Sequence, residues 1–235
     1  MLYFPYPRVG TGLVTDYRLE RTPEIIHPSL DRRYTFEEFL AVFDGYHAEW
    51  LPDGRVELNQ MGTSAFHIFL IQWLVKILGA YFDFTHTGQV FSQSFVQRLS
   101  SELSAREPDV LIVLNEHLDR IKATYLDGAA DIVMEVISPE SIERNYGVKF
   151  REYEQGGVRE YWLIDPERRI ADVYELGENA LYRRRPLDAE GRMKSGLLPK
   201  FALSPDLLWA EQKPDHIGIL KLVAGLLEID LRTLI

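Results

Sequence analysis

The segment DIVMEVI, residues 131–137, places one carboxylate inside an otherwise apolar strand pattern. Side chains alternate between the two faces of a strand, so Val133, Glu135 and Ile137 share one face. An unpaired carboxylate in such a place raises the free energy of the folded state or takes up a proton. The pattern therefore predicts a cation next to Glu135.

Lys149 is the candidate for this cation. It is the one charge in the apolar stripe of a helix that we expect to begin after Ser141 and to end near Gln155, before two glycines. The connection from the strand is short and the helix must pack back on the sheet, so Lys149 can reach Glu135. The other members of the stripe are Ile142, Tyr146, Phe150 and Tyr153.

A second carboxylate, Asp109, follows Pro108 at the start of the apolar run DVLIVL. Two acids from neighbouring strands suit Mg²⁺ or Mn²⁺, which lowers the pKa of a bound water and neutralises charge on a phosphate. A lysine beside them can orient the attacking water or stabilise developing charge. The set favours phosphodiester hydrolysis. On the residues alone, Glu135 and Lys149 could equally form a buried ion pair without catalysis, and Asp109 could end a loop.

Other enzyme classes fit less well. A paired-carboxylate glycosidase would not use Lys149, and no Gly-x-Ser-x-Gly motif of a serine hydrolase is present. VGTG at residues 9–12 lacks the strand and helix of a nucleotide loop, so we expect no organic cofactor. The chain has no cysteine, which excludes disulfides and thiolate chemistry and fits a cytoplasmic location.

Charge argues against broad electrostatic binding of nucleic acid. The formal net charge is −10, and dense basic runs occur only around Arg120 and at residues 183–185. We interpret both runs as solvated loops or strand edges. The apolar stretch from residue 65 to 82 is interrupted by His67, Gln72 and Lys76, which predicts a buried or amphipathic helix and no membrane span.

The patterning predicts an α/β (α+β mixed) domain with one central mixed β-sheet flanked by helices. Residues 1–33 form a proline-rich arm, 34–203 the main domain, and 204–235 a helical extension. Within them we expect a helix capped by Thr35 and Glu38, a hairpin at a Pro-Asp-Gly turn, and a helix over residues 64–80. QVFSQSFVQ alternates and predicts one strand.

The chain resembles the PD-(D/E)XK nuclease superfamily and, more narrowly, the Uma family of restriction-endonuclease-like proteins. The motif trio is Pro108-Asp109, Glu135 and a lysine. The matching stretches are EPDVLIV, DIVMEVISPES, GVKFREYEQGGVREYWLIDPERR, and AEWLPDG through AFH.

The resemblance implies a restriction-endonuclease-like core that hydrolyses DNA, with a metal held by Asp109 and Glu135. The usual lysine two residues after the glutamate is Ile137 here, and Lys149 takes its place. Glu49 and His67 match an acid and a histidine of the family, and we expect both at the edge of the site.

Two alternatives stay open. The nuclease-like core could serve as a binding or assembly module without turnover, which the acidic charge favours. The apolar C-terminal segment from His216 to Ile235 could pack on its own domain or form a homodimer contact. Because many nucleases that cut both strands are dimers, we expect a homodimer.

Overall fold

The computed structural model describes residues 28–58, 64–93 and 95–234. Most of the predicted N-terminal arm, residues 1–27, lies outside the described residues, as do residues 59–61 at the end of the predicted hairpin.

The described strands form two larger sheets and one short hairpin. The strands in chain order are β1 (Ala48–Trp50), β2 (Val56–Leu58), β3 (Gly88–Ser92), β4 (Val96–Arg98), β5 (Ala105–Arg106), β6 (Val110–Leu114), β7 (Tyr125–Asp127), β8 (Ile132–Val136), β9 (Glu160–Asp165), β10 (Ile170–Leu176), β11 (Tyr182–Arg185), β12 (Met193–Lys194) and β13 (Ala202–Leu203).

The six-stranded sheet has the order β11-β10-β9-β8-β6-β3. Its strands β8 and β9 are parallel, and its other neighbours are antiparallel. The five-stranded sheet has the order β2-β1-β5-β4-β7, with β4 and β7 parallel. Both sheets are mixed, as the fold class predicts.

Among the described residues, five α-helices flank the two larger sheets. They are α1 (Phe36–Val42), α2 (Ala65–Thr85), α3 (Lys149–Gly156), α4 (Pro205–Trp209) and α5 (His216–Leu227). Helix α1 lies on the five-stranded sheet and the others on the two faces of the six-stranded sheet. Short 3₁₀ turns cover Asn115–Arg120, Pro139–Ser141 and Leu231–Leu234, and a π-helical turn covers Arg144–Val148.

Strand β8 separates two apolar clusters. Ile132, Met134 and Val136 belong to the cluster with α2 and α5. Val133 and Ile137 belong to the cluster under α3. The predicted alternation is therefore confirmed, and Glu135 lies on the α3 face.

The N-terminal elements agree with their sequence signals. Thr35 and Glu38 form the predicted capping box of α1, which satisfies two backbone N–H groups at the helix start. Helix α1 packs Phe36 and Phe39 against Trp50 of the five-stranded sheet. The predicted hairpin is β1–β2.

The prediction of a single sheet is wrong. The segment QVFSQSFVQ, expected to be one strand, divides into β3 of the six-stranded sheet and β4 of the five-stranded sheet. The stacked rings of Phe91 and Phe95, 4.7 Å apart, lie on either side of the break. Alternation continues across the bend, so periodicity did not indicate it.

Three helices differ from their predicted bounds. Helix α2 continues to Thr85, since His86 is the first residue to adopt the left-handed conformation that ends a helix. Helix α5 ends at Leu227, where Glu228 has a φ of 60°. The helix expected after Ser141 begins with a 3₁₀ turn and a π turn before α3.

Helix α2 has the length and hydropathy of a membrane span, but 56% of its most apolar window is buried inside the protein. Leu70, Trp73, Leu74 and Ile77 contribute to the core, as their spacing indicates. Phe66 and Phe69, which have similar spacing, are exposed. Burial of this extent is typical of a core helix.

Candidate active site

Glu135 is buried on the α3 face of β8 and accepts two hydrogen bonds at one oxygen. Its Oε1 atom lies 2.8 Å from Nζ of Lys149 and 2.9 Å from Oη of Tyr153. The predicted cation beside Glu135 is therefore Lys149, which α3 brings to the strand.

A π-helical turn, Arg144–Val148, directly precedes Lys149. The backbone N–H of Lys149 donates to the carbonyl of Arg144, five residues back, which widens the helix at this turn. Lys149 and Tyr153 then lie one α-helical turn apart and both face the sheet. Such turns often occur at functional sites because they redirect side chains.

Glu49 lies at the centre of the charged cluster around Lys149, and not at the edge of the site as we expected from the sequence. It is fully buried on β1, and its Oε1 atom lies 3.0 Å from Nζ of Lys149. Its Oε2 atom accepts a 2.6 Å hydrogen bond from Arg106. Lys149 thus bridges two carboxylates that come from different sheets.

Asp109 lies just before β6 and faces the end of β8. Its Oδ2 atom accepts a 2.8 Å hydrogen bond from the backbone N–H of Val136, which follows Glu135. Its Oδ1 atom has longer contacts, 3.3 Å to Nε2 of His67 and 3.4 Å to Nε2 of Gln93. His67 on α2 is therefore beside Asp109, at the less buried end of the cluster.

Burial and neighbouring charges set the protonation states. Burial alone would raise the pKa of Glu49, but Lys149, Arg106 and Arg144 outweigh it and lower this pKa to about 2. Burial raises the pKa of Glu135, and the nearby Asp109 carboxylate adds to the increase against the pull of Lys149. Burial disfavours the Lys149 ammonium, yet Glu135 and Glu49 hold its pKa above the usual value.

The low pKa of Glu49 predicts a specific loss of stability in acid. The pKa falls from 4.5 to about 2 on folding, so the ionised side chain stabilises the fold above pH 4.5 and this contribution is lost as the pH falls toward 2. The shift corresponds to about 3 kcal/mol. Urea unfolding at pH 6 and near pH 2 should show a drop that is about 3 kcal/mol larger in the wild type than in Glu49→Gln. Equal drops in the two proteins would contradict this assignment.

The oxygen donors left in the cluster fit a hard divalent cation. Both described hydrogen bonds of Glu135 end on Oε1, so Oε2 has no hydrogen-bond partner within the described ranges. Oδ1 of Asp109 has only the two long contacts. Carboxylate oxygens without strong donors are the ligands that Mg²⁺ and Mn²⁺ prefer.

A second group of possible ligands lies elsewhere. Glu116, His117 and Asp131 bring ligand atoms within 4.8 Å of one another, as no other such trio among the described residues does. Arg159 already occupies this group, with Nη1 2.6 Å from Glu116 and 3.0 Å from Asp131. We interpret it as an ion-pair network where β6 ends and β8 begins.

Three residues of the cluster were not predicted from the sequence as site members. Arg106 bonds Glu49, Tyr153 bonds Glu135, and Gln93 contacts Asp109. Tyr153 had a signal, because it lies one helical turn from Lys149 in the same stripe. Arg106 and Gln93 lie beside the junction of the two sheets, which the sequence pattern did not indicate.

Polar residues near the neighbouring hairpin make structural contacts. Asp165 accepts a 2.9 Å hydrogen bond from the backbone N–H of Arg168 and so closes the β9–β10 turn. In the basic run of the edge strand β11, Arg184 pairs with Asp172 and Arg185 with Glu175. These pairs agree with the interpretation of that run as a strand edge.

Mixed sheets flanked by helices, with acids near the ends of adjacent central strands, define a protein of the restriction-endonuclease-like fold. Residues 36–215 match the family described as "Uma2: Putative restriction endonuclease". The chain belongs to this family, as its sequence motifs indicate.

Solved structures agree on the fold. The chain is similar to a crystal structure described as "a putative nuclease belonging to DUF820" from Anabaena variabilis. The TM-score is 0.61 at 17% identity, and the likeness covers 75% of this chain and 97% of that one. No curated protein matches the chain.

Proposed function

We propose that the protein is an endonuclease that hydrolyses DNA phosphodiester bonds with Mg²⁺ or Mn²⁺. The observation that carries the proposal is the 2.8 Å contact of Lys149 with Glu135 on β8. The neighbouring strand, β6, begins directly after Asp109. In this proposal Asp109 and Glu135 hold the metal. When bound, the metal would lower the pKa of a water and neutralise charge on the phosphate.

Lys149 acts as a fixed cation in this proposal. Burial disfavours the charged ammonium, but the two carboxylates beside it keep its pKa above the usual value, so it stays protonated and is not a base. A protonated lysine held at the metal ligands can stabilise negative charge that develops on the phosphate.

His67 assists at the open end of the site. The contact of Nε2 with the Asp109 carboxylate favours the tautomer with its proton on Nε2. Nδ1 is then an acceptor, and it is buried without a partner among the described residues. In the proposed reaction His67 assists through Nε2, which helps to hold the Asp109 carboxylate in place.

A cleavage assay tests this function. Supercoiled plasmid and circular single-stranded DNA are incubated with the purified protein in Mg²⁺, Mn²⁺ or EDTA. We expect cleavage with metal only, and a loss of at least about 100-fold in rate for Asp109→Asn. Asp165→Asn, the same substitution at a turn on the neighbouring hairpin, should cleave like the wild type. Cleavage that survives EDTA or Asp109→Asn would contradict the proposal.

The second candidate is a nuclease-fold binding module without turnover. It is favoured by the net charge of −10 and by the pairing of Lys149 with two carboxylates, which could be structural. Absence of cleavage with either metal, in a protein that still binds DNA, would support this candidate.

We propose in addition a cytoplasmic homodimer. The stripe of α5 that suggested a dimer is largely committed to the protein's own core, through Ile219 and Val223. Exposed apolar side chains nevertheless remain on α2 and α5, including Phe69 at 65% exposure and Ile217 at 64%.

A further inference from the structure

The buried acid–lysine cluster continues beyond Lys149 into a chain of charges of alternating sign. From the strand β8 side, the chain runs through Glu135, Lys149, Glu49, Arg106 and Glu152. Each interior charge therefore lies between two charges of opposite sign. The last two members, Arg106 and Glu152, lie outside the group of acids and lysine that forms the candidate site.

Arg106 links Glu49 on β1 to Glu152 on α3. Trp50 pairs with Ala105 in the antiparallel ladder between β1 and β5, so Glu49 and Arg106 are cross-strand neighbours. The guanidinium, buried with its side chain 2% exposed, donates from Nη1 to Oε2 of Glu49 at 2.6 Å. It has no other described contact with a group of the site.

The opposite side of the guanidinium is attached to α3. Nε of Arg106 donates to Oε2 of Glu152 at 2.7 Å, and Ser104 donates to the other oxygen of that carboxylate at 2.8 Å. Glu152 follows Lys149 by three residues, so the two side chains leave α3 close together. The helix that carries Lys149 is thus fixed to the five-stranded sheet at two points.

We propose that Arg106 is a positioning residue of the nuclease site: by binding Glu49 and Glu152 together, it holds Glu49 against Lys149 and Lys149 against Glu135. This inference rests on the proposed function, since it assigns Arg106 to that reaction. Arg106 itself touches neither a proposed metal ligand nor the substrate.

The geometry explains why an arginine serves here. Its planar guanidinium offers donors in several directions and stays charged when buried, so one side chain can bind two carboxylates at once. A neutral side chain would leave Glu49 with Lys149 as its main counter-charge. Glu49 would then be easier to protonate, and a protonated Glu49 would no longer hold the ammonium by charge.

The test measures Glu49 directly by NMR with ¹³C-carboxyl-labelled glutamate. The wild-type Glu49 signal should titrate near pH 2, and in Arg106→Gln it should titrate at least about one pH unit higher. The ammonium signal of Lys149 should shift or broaden in the same variant. Arg106→Lys restores the charge and should recover part of the Glu49 shift. If Glu49 titrates in Arg106→Gln as in the wild type, the proposal is overturned.

Two further variants keep the test interpretable. Arg98→Gln removes an arginine of the neighbouring strand β4, whose nearest acid is Glu37 at 3.8 Å, and should leave Glu49 unchanged. Glu152→Gln releases only the far end of Arg106 and should shift Glu49 in the same direction by a smaller amount. This variant decides the question if Arg106→Gln does not fold, and an unchanged Glu49 would then overturn the proposal.

Activity separates this inference from the proposed function. If the wild type cleaves DNA, Arg106→Gln should lower the rate at least about 10-fold while Mn²⁺ affinity stays within a factor of a few, since the metal ligands are untouched. If the wild type neither cleaves DNA nor binds metal, the proposed function fails. The Glu49 titration would still show whether Arg106 holds the carboxylate beside Lys149.

Discussion

A Lys149→Met variant is expected to lose about 100- to 1,000-fold in DNA cleavage rate while it still binds Mn²⁺. The substitution keeps the length and apolar character of the stem and removes the ammonium that lies 2.8 Å from Glu135 and 3.0 Å from Glu49. The oxygens proposed as metal ligands remain, and without Lys149 the Glu135 carboxylate is freer to bind a cation. Cleavage kinetics and calorimetry on the same preparation measure both effects.

The same variant should be markedly less stable without metal. Removing one partner from a buried ion-pair network leaves uncompensated charge and costs about 3–5 kcal/mol. Lys76→Met, the matched change at an exposed position of α2, should stay within about 0.5 kcal/mol of the wild type. Wild-type cleavage by a folded Lys149→Met protein would remove Lys149 from the site.

The second large effect is expected for Glu135→Gln, which should weaken Mn²⁺ binding at least about 100-fold. Loss of a charged ligand should exceed the 10- to 100-fold cost of changing a group that only supports a ligand. The amide keeps an acceptor for Tyr153 and has nearly the same shape, so the change is chiefly one of charge. Isothermal titration calorimetry against the wild type measures it.

Glu135→Gln should also stay folded in EDTA, because Lys149 keeps Glu49 as a counter-charge. Burial and the Asp109 carboxylate raise the pKa of Glu135, which means that the folded protein disfavours the ionised form. Glu116→Gln is the control, because it alters the other group of possible ligands. If Glu116→Gln abolishes Mn²⁺ binding and Glu135→Gln does not, the metal binds at the group of Glu116 and not at Glu135.

The centre of the site could be predicted because its signals are local. Strict alternation in β8 gives the face of Glu135, and helical spacing gives the face of Lys149, so only one packing step was needed to bring them together. The π turn before Lys149 changes the course of the helix but not this result, since Lys149 and Tyr153 still share a face.

The surroundings of the site could not be predicted because they depend on contacts between distant segments. Arg106 lies in a two-residue strand, too short for a periodic pattern, and its burial follows from the second sheet that the sequence did not reveal. The same sheet carries Glu49 to the middle of the cluster, 57 residues from its partner Arg106. The chain passes from one sheet to the other between β3 and β4. Apolar and polar residues still alternate there in the sequence, so the pattern did not indicate the second sheet.

Anomalous diffraction from crystals soaked in Mn²⁺ measures directly whether Asp109 and Glu135 bind the metal. We expect a manganese peak about 2.1 Å from carboxylate oxygens of both residues, with Lys149 still beside Glu135. The same peak should be missing in crystals of Glu135→Gln. A peak at Glu116, His117 and Asp131 alone, or no peak in crystals that diffract well and hold saturating Mn²⁺, would show that Asp109 and Glu135 do not form the metal site.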